Sequence, residues 1–151
     1  MTYDAKSYAT KGFRTQVAVI AEHAASHPQA VAMRQKRHGI WQELTWSGLQ
    51  DVTQALAAGL IDLGVAPGTH VGILSENRRE WVLAQFGIQA AGAVTVGMYP
   101  TSPTAEIDHL VNASDTEVLV IEDQEQFDKL IELGDRAPNL RKLIVIDPKG
   151  L

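Results

Sequence analysis

Apolar residues first recur at helical spacing at Phe13, Val17, Ile20, Ala21 and Ala24, and Pro28 ends the pattern; this predicts one amphipathic helix. Polar residues then interleave with apolar ones over Ala30 to Gln35 and over Ile40 to Trp46, with a turn near His38-Gly39 between them, the reading of a β-hairpin. Leu49, Val52, Leu56, Leu60 and Leu63 form the stripe of a second helix. Gly64 stands where a left-handed cap is needed, and Val65 follows to cover it. Residues 1–66 therefore read as helix, hairpin, helix.

From residue 67 the pattern changes. Four short apolar runs appear, HVGIL (70–74), AVTVGM (93–98), EVLVI (117–121) and KLIVI (142–146), with a helical segment between each consecutive pair. None alternates strictly with polar residues, so each is expected to be buried on both faces, as parallel strands are when helices cover both sides of a sheet. Helix starts are marked by Asn77 followed by Glu80, by Ser102 before Pro103, and by Asp123 followed by Gln126. The helices they open carry Trp81 and Ile88, then Ile107, Leu110 and Val111, then Phe127, Leu130 and Ile131. The order βαβαβαβ from about residue 70 predicts an α/β fold, a mainly parallel, doubly wound sheet with right-handed crossovers over residues 67–151. The chain stops five residues after its fourth apolar run, where a covering helix would be expected, so it reads as a fragment of a larger domain.

Composition narrows the functions available. The 151 residues carry a net charge of −5 and are 45% hydrophobic, which suits one soluble globular domain. An acidic chain without a basic stripe is a poor nucleic-acid binder. Its densest basic cluster, Arg34, Lys36, Arg37 and His38, reads as a solvated hairpin tip. With no cysteine, disulfides, thiolate catalysis and zinc–cysteine sites are excluded. No secretory h-region and no membrane-length apolar window is present, so the expected location is cytoplasmic.

Nucleotide sites on such sheets lie beyond the carboxyl ends of the strands, so the junctions SENRRE, YPTSP, EDQE and DPKGL are the places to search. None has the G-x-G-x-x-G of a dinucleotide loop or the G-x-x-x-x-G-K of a Walker loop. The nearest spacing, Gly87 to Gly92, falls inside a predicted helix and lacks the lysine, and the pair reads as a device for packing that helix closely on the sheet. GILSENR lacks the glycine flanks of a nucleophile elbow, so Ser75 is not expected to be a nucleophile. Glu122 and Asp123 have two readings. They resemble the acidic metal pocket of a receiver-like or flavodoxin-like module, or else Asp123 caps a helix and Glu122 stabilises its positive end. Arg78 and Arg79 read as solvated or ion-paired residues or as anion contacts. Trp41, Trp46 and Trp81 read as core or seam residues. Histidines 23, 27, 38, 70 and 109 have no metal-site spacing, so no metal is expected.

The residues converge on a known pattern. From Thr45 to Val120 the chain carries T-W, a Leu- and Ala-rich helix, L-G-V-x-x-G, V-G-I-L-S-E-N, E-W, A-A-G-A-V and Y-P-T. This resembles the N-terminal part of AMP-forming acyl-CoA synthetases, in a match from about Val31 to Asp147. Tyr99-Pro100-Thr101 is most similar to the long-chain fatty acid branch. The resemblance implies a ligase that uses ATP, magnesium and coenzyme A to turn a fatty acid into an acyl-adenylate and then a thioester. The family's Ser/Thr/Gly-rich loop ending in lysine, its Tyr-Gly-x-Thr-Glu segment, its ribose-binding aspartate and its lid lysine do not occur in residues 1–151. No catalytic residue is therefore assigned, and residues 1–151 alone are expected to be inactive. Tyr99 and Thr101 are expected to fringe the acyl or nucleotide pocket of the complete enzyme. Self-association through exposed apolar surface, peripheral membrane contact and a purely non-catalytic interaction role remain open alternatives.

Overall fold

Parallel strands need long crossovers and antiparallel ones need only a tight turn, and the chain uses each in turn. The computed structural model describes residues 15–151, so Phe13 lies outside the described residues. These residues fall into two compact units, up to Gln50 and from Asp51 onward.

In the first unit, α1 (Gln16–Ser26) is capped by Thr15, whose hydroxyl accepts from the Ala18 amide at 3.1 Å. Ile20 and Ala24 are buried. Ala21, expected beside them, is exposed; His23 is partly buried instead, its ring stacked on Trp46 at 4.5 Å. Strands β1 (Val31–Arg37) and β2 (Ile40–Thr45) pair antiparallel, with Arg37 opposite Ile40. His38 and Gly39 both have positive φ, 49° and 80°, as a two-residue hairpin turn matched to strand twist requires. The basic tip is exposed, with Arg34 paired to Glu43 at 2.8 Å. Trp41 is corrected from the core to the surface: it is 61% exposed, with the Lys36 ammonium 5.9 Å from its ring. Trp46 leaves the strand and opens α2 (Trp46–Asp62), its amide donating to the Ala30 carbonyl.

The second unit is built on four parallel strands: β3 (His70–Leu74), β4 (Val94–Met98), β5 (Val118–Ile121) and β6 (Lys142–Val145), in the order β4-β3-β5-β6. Helices α3 (Arg79–Ala90), α4 (Thr104–Ala113) and α5 (Gln124–Leu133) connect them. Ala57, Leu60 and Ile88 pack with Val71, Ile73, Val118 and Val120 in one core cluster. Ile107, Val111, Leu130 and Leu133 pack with Leu74, Leu119 and Ile121 in another. Successive residues of β3 and β5 point to opposite faces, so both faces of the sheet are covered. Burial on both faces holds only for these two inner strands. Val94 on β4 is 44% exposed and Leu143 on β6 is 37% exposed, because these outer strands have a sheet neighbour on one side only.

Several local expectations shift by a residue or a face. Of the α2 stripe, Leu49 and Leu60 are buried, Ala57 is buried beside them, and Leu56 is 37% exposed. Val52, Leu56 and Leu63 line an apolar groove of about 590 Å³ with Leu83, Ile144 and Ile146. After α2, Gly64 has φ +85°; the Gly64 amide donates to the Ile61 carbonyl and the Val65 amide to the Leu60 carbonyl, the paired bonds of a Schellman cap. Gly87 serves a helix rather than the sheet: a Cβ placed there would lie 2.6 Å from the Cβ of Leu56, so its absence lets α3 approach α2. On α5, Ile131 is 65% exposed, and Gln126, Leu130 and Leu133 are buried.

Candidate functional site

In the parallel sheet ordered β4-β3-β5-β6 the strand order reverses between β3 and β5, the switch point beyond whose carboxyl ends open α/β sheets bind their ligands. The residues that arrive there are Ser75 to Arg78 after β3 and Glu122 with Asp123 after β5. One Glu122 oxygen accepts from the Ser75 hydroxyl at 2.9 Å and from the Glu76 amide at 2.7 Å; the other accepts from the Arg78 guanidinium at 3.0 Å. Arg78 Nε donates in turn to Glu80 at 2.9 Å. A carboxylate with three donors therefore fills the place where many α/β sheets bind a ligand. A phosphate brought here would meet a negative charge already matched by Arg78, so these residues do not fit a nucleotide triphosphate.

The same contacts decide between the readings of these residues. Glu122 ties two strand ends together instead of stabilising the start of α5. Arg78 takes the ion-paired reading, and its extended backbone makes it the N-cap of α3 in place of Asn77, with no side-chain cap bond. Asp123 does cap α5, accepting from the Glu125 amide at 3.1 Å and the Gln126 amide at 3.4 Å. Both members of the acidic pair are thus engaged, which removes the receiver-like metal pocket. Among the described residues no group of three or more His, Asp or Glu is placed to hold a metal ion.

Burial alone would push the Glu122 carboxyl up, but the Glu76 amide, the Ser75 hydroxyl and the Arg78 charge outweigh it, and the group sits below the usual 4.5. Glu80 shows the same balance, with burial opposed chiefly by Arg78. A carboxylate with a depressed folded pKa adds stability that is present above its unfolded value and lost as pH falls through the folded one. The urea midpoint should therefore hold level from about pH 7 to about pH 5 and drop below about pH 4.5. Glu122→Gln should make that acid limb shallower; an unchanged limb would count against the contacts described.

Beside this knot lies a half-polar cleft of about 280 Å³, lined by Ser75, Glu76, Asn77 and Trp81 on one side and Gly97, Met98, Tyr99 and Pro100 on the other. Leu74 pairs with Met98 in register, so the two loops leave the sheet side by side. Trp81 is partly buried against the core and turns its ring edge toward Gly97, 3.5 Å from where a Cβ would stand. Tyr99 lines the cleft and is 78% exposed. Thr101 is exposed and is not among the lining residues. The Ser102 amide donates to the Tyr99 carbonyl, closing a turn that buries Ser102 and makes Pro103, not Ser102, the N-cap of α4. Glu76 and Asn77 lie in one of the junctions that the strand order marks for search, whereas Trp81, Gly97 and Met98 carry no local signal and join the cleft only through the pairing of β3 with β4.

The profile of the AMP-binding enzyme family matches residues 20–151. The chain belongs to that family. Its relatives include a long-chain-fatty-acid–CoA ligase, FadD15, of Mycobacterium bovis, 34% identical over 133 residues that make up 88% of this chain and 22% of FadD15. The Drosophila melanogaster long-chain-fatty-acid–CoA ligase heimdall is 35% identical over 104 residues, 69% of this chain and 15% of heimdall. Among solved structures, MbtA of Mycobacterium smegmatis superposes with a TM-score of 0.82 at 28% identity, covering 95% of this chain and 27% of MbtA. The chain thus spans 15–22% of the length of these two curated relatives. Among its described residues no helix is long and apolar enough to cross a membrane.

Proposed function

We propose that the chain is the N-terminal segment of an ATP-dependent fatty acid–CoA ligase. The observation that carries this reading is the 34% identity to FadD15 over 88% of the chain. In the reaction proposed, the fatty acid carboxylate attacks the α-phosphorus of ATP and pyrophosphate leaves. The thiol of coenzyme A then attacks the acyl-adenylate carbonyl and AMP leaves. Magnesium, when bound, offsets charge on the phosphates. Glu122 argues that the phosphates and their metal are held by parts of the enzyme outside residues 1–151.

The role left to this segment is a rigid α/β platform with the Tyr99 cleft at its carboxyl edge. Tyr99, with Thr101 beside it in the loop, fringes the acyl or nucleotide pocket in this reading. The test is AMP release that depends on both fatty acid and coenzyme A. The full-length enzyme should show it, residues 1–151 alone should not, and the Tyr99→Ala/Thr101→Ala enzyme should show a several-fold higher KM for fatty acid or ATP at unchanged melting temperature. Unchanged kinetics in that variant removes the pocket role, and absence of thioester from the full-length enzyme removes the ligase reading.

A further inference from the structure

Both walls of the Tyr99 cleft are held from one place that does not line it. The wall after β3 is fixed by Glu122, at the end of β5, through Ser75, Glu76 and Arg78. The wall after β4 is fixed by Lys129 on α5, whose ammonium donates to the Pro100 carbonyl and, at 3.2 Å, to the Gln126 side chain, while pairing with Glu125 at 3.2 Å. The Lys129 side chain is only 19% exposed, so the Pro100 carbonyl bond is sheltered from water. A second tie joins the same elements, as the Thr104 hydroxyl at the start of α4 donates to Glu132 of α5 at 2.8 Å. Neither Glu122 nor Lys129 is among the residues lining the cleft.

We infer that Glu122 and Lys129 are positioning residues: the β5–α5 segment is a frame that sets the separation of the two cleft walls and so the fit of whatever part of the substrate enters. This rests on the ligase reading above for its effect on turnover, though not for the frame itself. Charge-assisted bonds to a backbone carbonyl and a backbone amide suit the task, because they fix main chain rather than a mobile side chain. A wall displaced by about 1 Å costs a large share of binding or rate without touching the reacting atoms.

The experiment uses the full-length enzyme with Lys129→Met, Lys129→Arg and Glu122→Gln. Hydrogen exchange is read over residues 75–81 and 97–104, and KM and kcat are measured for fatty acid, ATP and coenzyme A separately. Lys129→Met should speed exchange around Tyr99 to Thr104 and raise KM for at least one substrate about fivefold or more, with kcat within about twofold; Lys129→Arg, which keeps a donor, should restore both. Glu122→Gln should loosen residues 75–78 instead. Unchanged exchange and KM overturns the inference. So does a general loss of protection with a fall in melting temperature that arginine fails to rescue, since that is the mark of a merely structural lysine. If the full-length enzyme formed no thioester, the exchange pattern would still decide the frame while the ligase reading fell separately.

Discussion

Replacing Gly87 with valine should lower the unfolding free energy by about 3 kcal/mol, the upper end of overpacking costs. The added Cβ would lie 2.6 Å from the Cβ of Leu56, an atom fixed to the α2 backbone and unable to swing aside. Helices α2 and α3 must then separate, opening contacts around Ile88 and Leu60, both in the core. Removing a helical glycine returns under about 1 kcal/mol of propensity, too little to compensate. Alanine at the same place meets the same clash without the branch and should cost less. Urea unfolding of residues 1–151 measures the difference; a valine variant as stable as its parent would mean that the two helices do not meet at Gly87.

Leu119→Ala should cost about 4 kcal/mol, toward the top of the range for buried leucines. Leu119 is wholly buried on β5, an inner strand, and packs among Leu74, Ile107 and Val111 where strand pairing limits collapse. Its side chain also occupies the space over Gly72: a Cβ there would come 2.4 Å from Leu119 Cδ1. Gly72→Ala is therefore destabilising alone but partly fills the cavity in Leu119→Ala, so the double variant should be more stable than the two single costs added. Strict additivity would show that the two residues do not share that space.

The βαβ alternation was legible because inner parallel strands are continuous apolar runs, and β3 coincides with HVGIL residue for residue. The hairpin turn was legible from His38-Gly39, whose positive φ values suit a glycine and a residue that tolerates the left-handed region. The helix starts were less so. Asp123 caps locally and was readable; Asn77 lost its role because Arg78 is held by Glu122, 44 residues away, a contact no local pattern contains. Trp41 stands on the open face of the hairpin, since alternation marks the two faces without saying which one is covered. Leu56 keeps its helical spacing, yet lies on the side of α2 that borders a groove. Of the cleft, the junctions SENRRE and YPTSP are legible in the sequence, and the strand register adds Trp81, Gly97 and Met98.

Glu122 occupies the switch point between β3 and β5 with its bonds to Ser75, Glu76 and Arg78, so in the proposed ligase this α/β segment does not by itself hold the nucleotide. The most direct measurement is a calorimetric titration of ATP and magnesium into residues 1–151, followed by the same titration into the full-length enzyme. The segment should show no saturable binding at millimolar nucleotide, and the full-length enzyme should bind clearly. Saturable binding to the segment that is lost when Ser75 or Arg78 is replaced would contradict it.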